Sequence, residues 1–319
     1  MIAFGPVPSR RLGRSLGINN IPPKVCTYAC VYCQVGKTNR LMVERRPFYE
    51  TREIFASVRK QVQQIRKRAE SIDYLTFVPD GEPTLDINLG HEIDQLKALG
   101  LRIAVITNGS LIDRQDVQND LIKADWVSLK FDSIYKTGWR KINRPHQGLK
   151  LDQILNGMLG FSKIYPGQLV VETMLVYHPG IDMDGLKAMA EFLSRLKPAM
   201  VYLAIPTRPP AETWIRPPLP QDVNRAFQIF NDSIGRVEYL IGYEGNAFAF
   251  SGRVEKDLLS ITAVHPMRRS AVKKFLKKAA ADWSVVQQLI DQGKLVETRF
   301  GGRKFYLRNF QPEGINKAC

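Results

Sequence analysis

Residues 102–109, Arg102-Ile103-Ala104-Val105-Ile106-Thr107-Asn108-Gly109, set an unbroken apolar run against a turn. Ile103, Ala104, Val105 and Ile106 are consecutive, so an extended segment here is apolar on both faces. That suits a strand of a parallel sheet covered by helices. Asn108-Gly109 then stops it. Outward from this run the pattern repeats. Before it, Leu16 to Asn20 is a short expected strand, and Glu53 to Glu70 an expected helix with Ile54, Val58, Val62 and Ile65 at helical spacing. Asp73 to Val78 follows as a strand and His91 to Leu99 as a helix, with Gly100 as its C-cap. After it, helices are expected from Gln115 to Lys123, Leu151 to Ile164, Asp184 to Leu196 and Gln221 to Ile234. They alternate with strands from Asp125 to Phe131, Leu169 to Val176 and Met200 to Ile205. About six such units imply an α/β fold with a parallel sheet. They would form an incomplete barrel or a flat doubly wound sheet; we expect a partial (β/α)6 TIM-like barrel. In either case ligands sit in the loops after the strands.

From about Val237 the pattern changes. Ser270 to Ala280 and Trp283 to Gln292 read as helices, the first starting near Met267. Leu295 to Phe300 and Arg303 to Arg308 read as a hairpin turned by Gly301-Gly302. Helices followed by a basic hairpin suggest a small winged-helix-like domain, in a nucleic-acid role or as a lid. The expected division is a barrel over residues 1–235, a linker over 236–262 and the winged-helix-like domain over 263–319. The formal net charge of the 319-residue chain is +15. Residues 263–319 hold twelve Lys or Arg against four Asp or Glu, and residues 1–46 hold eight against one. Such a surplus points to a polyanionic partner, either RNA, DNA, an acidic protein or a phosphorylated small molecule, or serves solubility alone. No apolar run approaches the roughly 20 residues of a membrane helix, and Met1 to Pro6 shows no signal-peptide pattern. A reducing cytoplasm is the expected location.

Three cysteines stand as C-x3-C-x2-C in Cys26-Thr27-Tyr28-Ala29-Cys30-Val31-Tyr32-Cys33. Three thiolates can hold three irons of a [4Fe-4S] cube and leave the fourth open, whereas the usual set is four cysteines. The remaining cysteine is Cys319, the last residue; we expect a free thiol there, since a prenylation signal needs its cysteine three places earlier. Structural zinc wants a second ligand pair, and His91, His146, His178 and His265 are isolated. Disulfide scaffolds are short and cysteine-dense. A cluster, zinc, or buried unligated thiols are the readings the residues alone permit.

C-x3-C-x2-C with Tyr32 before the last cysteine resembles the signature of the radical S-adenosylmethionine (radical SAM) superfamily. Asp80-Gly81-Glu82-Pro83, at an expected strand end, resembles that superfamily's GGEP segment, with Asp80 in place of the first glycine. The resemblance covers roughly residues 1–235. It implies that Cys26, Cys30 and Cys33 hold a [4Fe-4S] cluster whose open iron chelates SAM. Reductive cleavage of SAM then gives methionine and a 5′-deoxyadenosyl radical, with an electron from a donor such as flavodoxin or ferredoxin. It further implies a cofactor-binding set. Tyr32 belongs to the signature, and the Asp80, Gly81, Glu82 and Pro83 backbone meets the SAM amino group. Ser128, Lys130 and Asp132 lie near the ribose, and Ala204 and Ile205 hold the adenine through backbone contacts. Three further expectations come from the residues. Asn108, in Thr107-Asn108-Gly109-Ser110, would reach the cofactor carboxylate or substrate, or form only a turn. Ser128, Lys130 and Asp132 alternate, so they share one face, and Lys130 with Asp132 would otherwise form an internal ion pair. Glu172, inside an apolar strand, must be paired; we expect it to face the site or to serve a structural cation.

Arg10, Arg11, Arg14, Lys141, Arg144 and Arg208 are candidate substrate-binding cations, Lys141 and Arg144 being placed in a loop. No catalytic side chain is singled out. The stretch from Gly5 to Gly17 and Asn143-Arg144-Pro145 resemble a microbial group related to the wyosine-base synthases of transfer RNA. Archaeal members of that synthase family carry a second cluster on further cysteines, and this chain has none for one, so the wyosine reaction is not carried over. RNA base modification is the leading expectation. A radical activase or modifier of a protein or peptide is the second, and an iron-sulfur DNA-binding regulator is the non-enzyme alternative.

Overall fold

The structure, a computed structural model, describes residues 2–177, 182–241, 248, 250, 252–264 and 266–309. His178, His265 and Cys319 lie outside the described residues. The chain opens with a hairpin of β1 (Ala3–Ser9) and β2 (Gly13–Ile18). Two-residue strands β3 (Val25–Cys26) and β4 (Arg40–Leu41) pair across the cysteine loop. Then follow α1 (Thr51–Arg66), β5 (Tyr74–Phe77), α2 (Leu89–Lys97), β6 (Arg102–Thr107), α3 (Gln115–Leu121) and β7 (Trp126–Lys130). Next are α4 (Lys136–Ile142), α5 (Leu151–Ile164), β8 (Gln168–Met174), α6 (Met183–Leu196), β9 (Met200–Ala204), α7 (Pro220–Ile234) and β10 (Val237–Leu240). The strands form one sheet in the order β1-β2-β5-β6-β7-β8-β9-β10, parallel throughout except for antiparallel β1. It curls into a half-barrel, as the partial-barrel expectation holds.

Side-chain alternation builds two faces from each strand. Leu75, Phe77, Ile103, Val105, Val127, Leu129, Leu169 and Val171 point outward into the main core under the helices. The α1 residues Ile54, Val58, Val62 and Ile65 meet them, as their spacing predicts. Tyr74, Ala104, Trp126, Val170 and Tyr202 pack on the inner face. The six expected strands are all present. β1, β10 and α4 are additions. β1 contains Pro6 and Pro8, which read as loop but are tolerated on an edge strand. β10 extends the parallel sheet past residue 235.

The rest of the described chain is α8 (Val254–Val264), β11 (Met267–Arg268), α9 (Arg269–Lys278), α10 (Ser284–Asp291), β12 (Leu295–Phe300) and β13 (Arg303–Arg308). Its three strands form an antiparallel sheet in the order β11-β13-β12. Gly301 and Gly302 both have positive φ (+53° and +71°), as a two-residue hairpin turn requires. Met267 begins a strand against Tyr306 rather than a helix. Residues 262 and 263, the expected boundary, lie within α8. Leu258 and Ile261 of that helix share a second core with Phe275, Leu289 and Tyr306. This unit docks on the barrel where Val7 of β1 touches that core.

Candidate active site

A cavity of about 320 Å³ opens at the carboxyl ends of the strands and is lined by Cys26, Cys30 and Cys33. The loop that carries them is fixed by backbone bonds. Lys24 N–H donates to the Asp80 carbonyl (2.7 Å), Glu82 N–H to the Val25 carbonyl (3.1 Å) and Met42 N–H to the Cys26 carbonyl (3.0 Å). The contact with Val25 requires glycine at position 81, because a Cβ there would collide with the Val25 carbonyl oxygen. Buried Arg45 braces the next segment through the Thr84 and Asp86 carbonyls and the carboxylates of Asp116 and Asp120.

The three cysteines are unpaired with one another and part-buried. Burial pushes the Cys26 thiol up to about 12, Cys30 well above its ordinary value, and Cys33 upward against the opposing charge of Lys24. Sulfurs held this way stay protonated until a metal supplies positive charge, as thiolate ligation of iron would. Among the described residues no three His, Cys, Asp or Glu side chains are placed to hold a single ion. Three thiols lining one cavity suit a cube that leaves one iron to a small ligand. Two amides point at the sulfurs: Asn143 Nδ2 lies 3.4 Å from Cys30 Sγ and Asn108 Nδ2 3.6 Å from Cys26 Sγ.

One wall of the cavity is organised by Glu82. Its Oε1 accepts from Thr84 N–H (3.0 Å), the Thr84 hydroxyl (2.7 Å) and the Thr107 hydroxyl (2.5 Å), and its Oε2 from Asn108 N–H (2.8 Å). Burial pushes the carboxyl up while these bonds favour its charge. Asn108 Nδ2 and the Ser110 hydroxyl both reach Thr27 Oγ1 at 2.7 Å. Glu82 thus ties the ends of β5 and β6, and Asn108 carries the tie to the cysteine loop. The strand-end turn at Thr107–Ser110 thus braces the cysteine loop, and Asn108 also lines the cavity. Asp80 is buried on the same wall; burial pushes it up to about 7, against Lys24 and Arg308.

The opposite wall is organised by Glu172. Arg11 and Lys130 both pair with its carboxylate. Burial works to raise its pKa, but the two cations overcome that and hold it down at about 2. Glu172 lines the cavity and is paired there by Arg11 and Lys130. Arg208 joins the lining and donates to Gln34 Oε1 at 2.6 Å.

Tyr32, Asp80, Gly81, Glu82, Asn108, Lys130, Glu172, Ala204, Ile205, Arg10, Arg11 and Arg208 are brought together on the cavity. Other candidates fall outside its lining. Pro83 starts a buried 3-10 turn behind the loop. Ser128 is buried on the inner face below the cavity. Asp132 does not pair with Lys130. It lies beneath the cysteine loop, accepting from the Tyr32 hydroxyl, from Asn143 Nδ2 (2.7 Å) and from Met174 N–H (2.8 Å). Arg14 turns away to Glu70, and Arg144 meets Glu212 at 2.5 Å. Lys141 sits in the last turn of α4, not in a loop. Lys24, Thr27 and Asn143 were not singled out as site residues. Lys24 is buried beside Asp80, and Thr27 and Asn143 anchor the cysteine loop. Their partners lie far along the chain, so only the position of Lys24 two residues before Cys26 could have marked it.

Comparison with known proteins agrees with this geometry. A family model for the radical SAM superfamily matches residues 20–193. A UPF0026 protein of Methanocaldococcus jannaschii is 47% identical over 317 residues, covering 99% of this chain and 98% of the relative. Among solved structures, TYW1 with a lysine-pyruvate adduct bound superposes with a TM-score of 0.50 at 16% identity, covering 69% of this chain and 73% of that one. SuiB of Streptococcus suis bound to S-adenosylmethionine superposes with a TM-score of 0.51 at 13% identity, covering 72% and 51%.

Proposed function

The chain belongs to the radical SAM superfamily of enzymes, which use a [4Fe-4S] cluster and SAM, and on that premise we propose that it modifies a base in RNA. Cys26, Cys30 and Cys33 are the cluster ligands in this reading. Bound together, the cluster and SAM would supply one-electron reductive cleavage of a carbon–sulfur bond and, through it, radical chemistry on a substrate. The protein's own part is to position and to exclude water. The backbone at Asp80–Glu82 would receive the SAM amino group, and the backbone of Ala204 and Ile205, on the same cavity, would hold the adenine. Asn108 and Asn143 donate toward the sulfurs. Arg11, Lys130 and Arg208 give the remaining wall a positive charge suited to a carboxylate or phosphate. A flavodoxin or ferredoxin in a reducing cytoplasm would deliver the electron.

The RNA reading rests on one observation: the described part of the cation-rich stretch, residues 266–309, sits in a unit docked beside the cavity. We read that unit, from α8 onward, as winged-helix-like and as a substrate-binding domain. The sequence likeness to wyosine-base synthases points the same way. The test is anaerobic. Reconstituted protein, SAM, a reductant and unmodified RNA are incubated, and digested nucleosides are weighed by mass spectrometry. A new nucleoside that forms with 5′-deoxyadenosine supports the reading. SAM cleavage stimulated by a protein or peptide and not by RNA contradicts it.

A further inference from the structure

A second cleft, about 770 Å³, lies where the C-terminal unit meets the barrel. It is lined by Arg10 and Arg14 from the first hairpin, and by Lys274 and Lys278 from α9, with Glu70 as its one acidic side chain. Pro8, Ser9 and Arg10 line both this cleft and the cysteine cavity, so the two meet along that edge. Glu70 is already engaged by Arg14 and by Lys278 (3.4 Å). Lys274 is exposed and makes no hydrogen bond or ion pair among the described residues. The lining therefore carries more positive than negative charge, which repels itself unless a mobile anion enters.

The helices point the same way. In a winged-helix reading of this unit α10, Ser-Val-Val-Gln-Gln-Leu-Ile-Asp, takes the order of the groove-reading helix, yet it contains no Lys or Arg. α9, Arg-Ser-Ala-Val-Lys-Lys-Phe-Leu-Lys-Lys, carries five. Its apolar face, Ala271, Val272, Phe275 and Leu276, is buried in the unit's core, and Lys274 and Lys278, four apart, share the edge that lines the cleft. Two of the five α9 cations thus line the seam with the barrel, and α10 offers none to a groove.

We propose that this cleft is the path by which RNA reaches the active-site cavity, with its phosphates held by Arg10, Arg14, Lys274 and Lys278. The inference rests on the RNA reading and locates it. The test uses the full chain and a fluorescent single-stranded oligoribonucleotide, with affinity followed across a salt titration. K274E, which breaks no described contact, should weaken binding and reduce the steepness of the log–log salt dependence by about 0.7. K274E/K278E should reduce it by about 1.4, at about 0.7 per lost phosphate contact on a single strand. K274R/K278R should bind like the parent. K163E/K187E, an equal charge change on exposed positions of the outer helices α5 and α6, should also bind like the parent. Melting temperatures check that each variant is folded. Equal weakening by K163E/K187E and K274E/K278E, or no change in K274E, overturns the cleft while leaving RNA as the substrate. A parent protein that binds no RNA at low salt, or binds polyglutamate more tightly, overturns the RNA reading itself.

Discussion

Glu82, in the loop after β5, and Glu172, inside β8, are both buried carboxylates on the same cavity, and their surroundings differ in kind. Glu82 meets only neutral donors, the Thr84 and Asn108 amides and the Thr84 and Thr107 hydroxyls. Glu172 meets two cations, Arg11 and Lys130. Burial prevails at Glu82, whose pKa goes up, and the cations prevail at Glu172, whose pKa goes down. The Glu82 wall therefore acts as a fixed brace, holding Asn108 and through it the cysteine loop. On the Glu172 wall, Arg11 and Lys130 face the cavity with their charges already paired to the carboxylate. One cavity thus has a wall tied by neutral donors and a wall carrying paired charges.

The largest effect is expected from taking away what both walls face. Cys33→Ala should abolish cluster assembly and SAM cleavage while leaving both carboxylate networks and the melting transition of the metal-free protein in place. Iron content and 5′-deoxyadenosine yield check this, and retained iron would separate Cys33 from the cluster. Next is Glu172→Gln, which strands two part-buried cations and should cost about 3 kcal/mol in denaturant unfolding. Glu82→Gln should cost less, about 1–3 kcal/mol, because Oε1 keeps its three donors and only Asn108 N–H is left facing a donor. Equal losses in the two variants would erase the contrast between the walls.

Acid sharpens the same comparison by a smaller amount. The Glu172 carboxyl sits at about 2 in the folded chain against an ordinary 4.5. Its stabilisation is complete above about 4.5 and disappears as pH falls toward 2. Glu82 has a raised pKa, so its folded form gains protons first and its linkage has the opposite sign. The stability difference between parent and E172Q should therefore shrink as pH drops from 5 toward 3 (~2 units). A difference that stays constant would mean that Glu172 is not charged in the folded protein.

Much of this was legible from residue order, for identifiable reasons. α5 appeared with its exact bounds because Leu151, Ile154, Met158 and Phe161 bury one stripe. Glu172 declared itself as a carboxylate inside an apolar strand. Its partner Arg11 could not be read, since 161 residues separate them. Tyr32 and Asp132 were each marked by local pattern, but their bond beneath the cysteine loop exists only once β7 closes over it. β10, four residues with only Val237 buried, gave too little periodicity to register. α4 failed likewise, because Trp139 is its one buried residue.

The central claim is that three cysteines hold a cube whose vacant iron takes SAM. Electron paramagnetic resonance of the anaerobically reconstituted, reduced protein, with and without SAM and alongside iron and sulfide content, tests it most directly. The account predicts a full cube's iron per chain and a spectrum that changes when SAM is added. Tetrahedral zinc in place of iron, or a cluster signal that SAM does not alter, would contradict it.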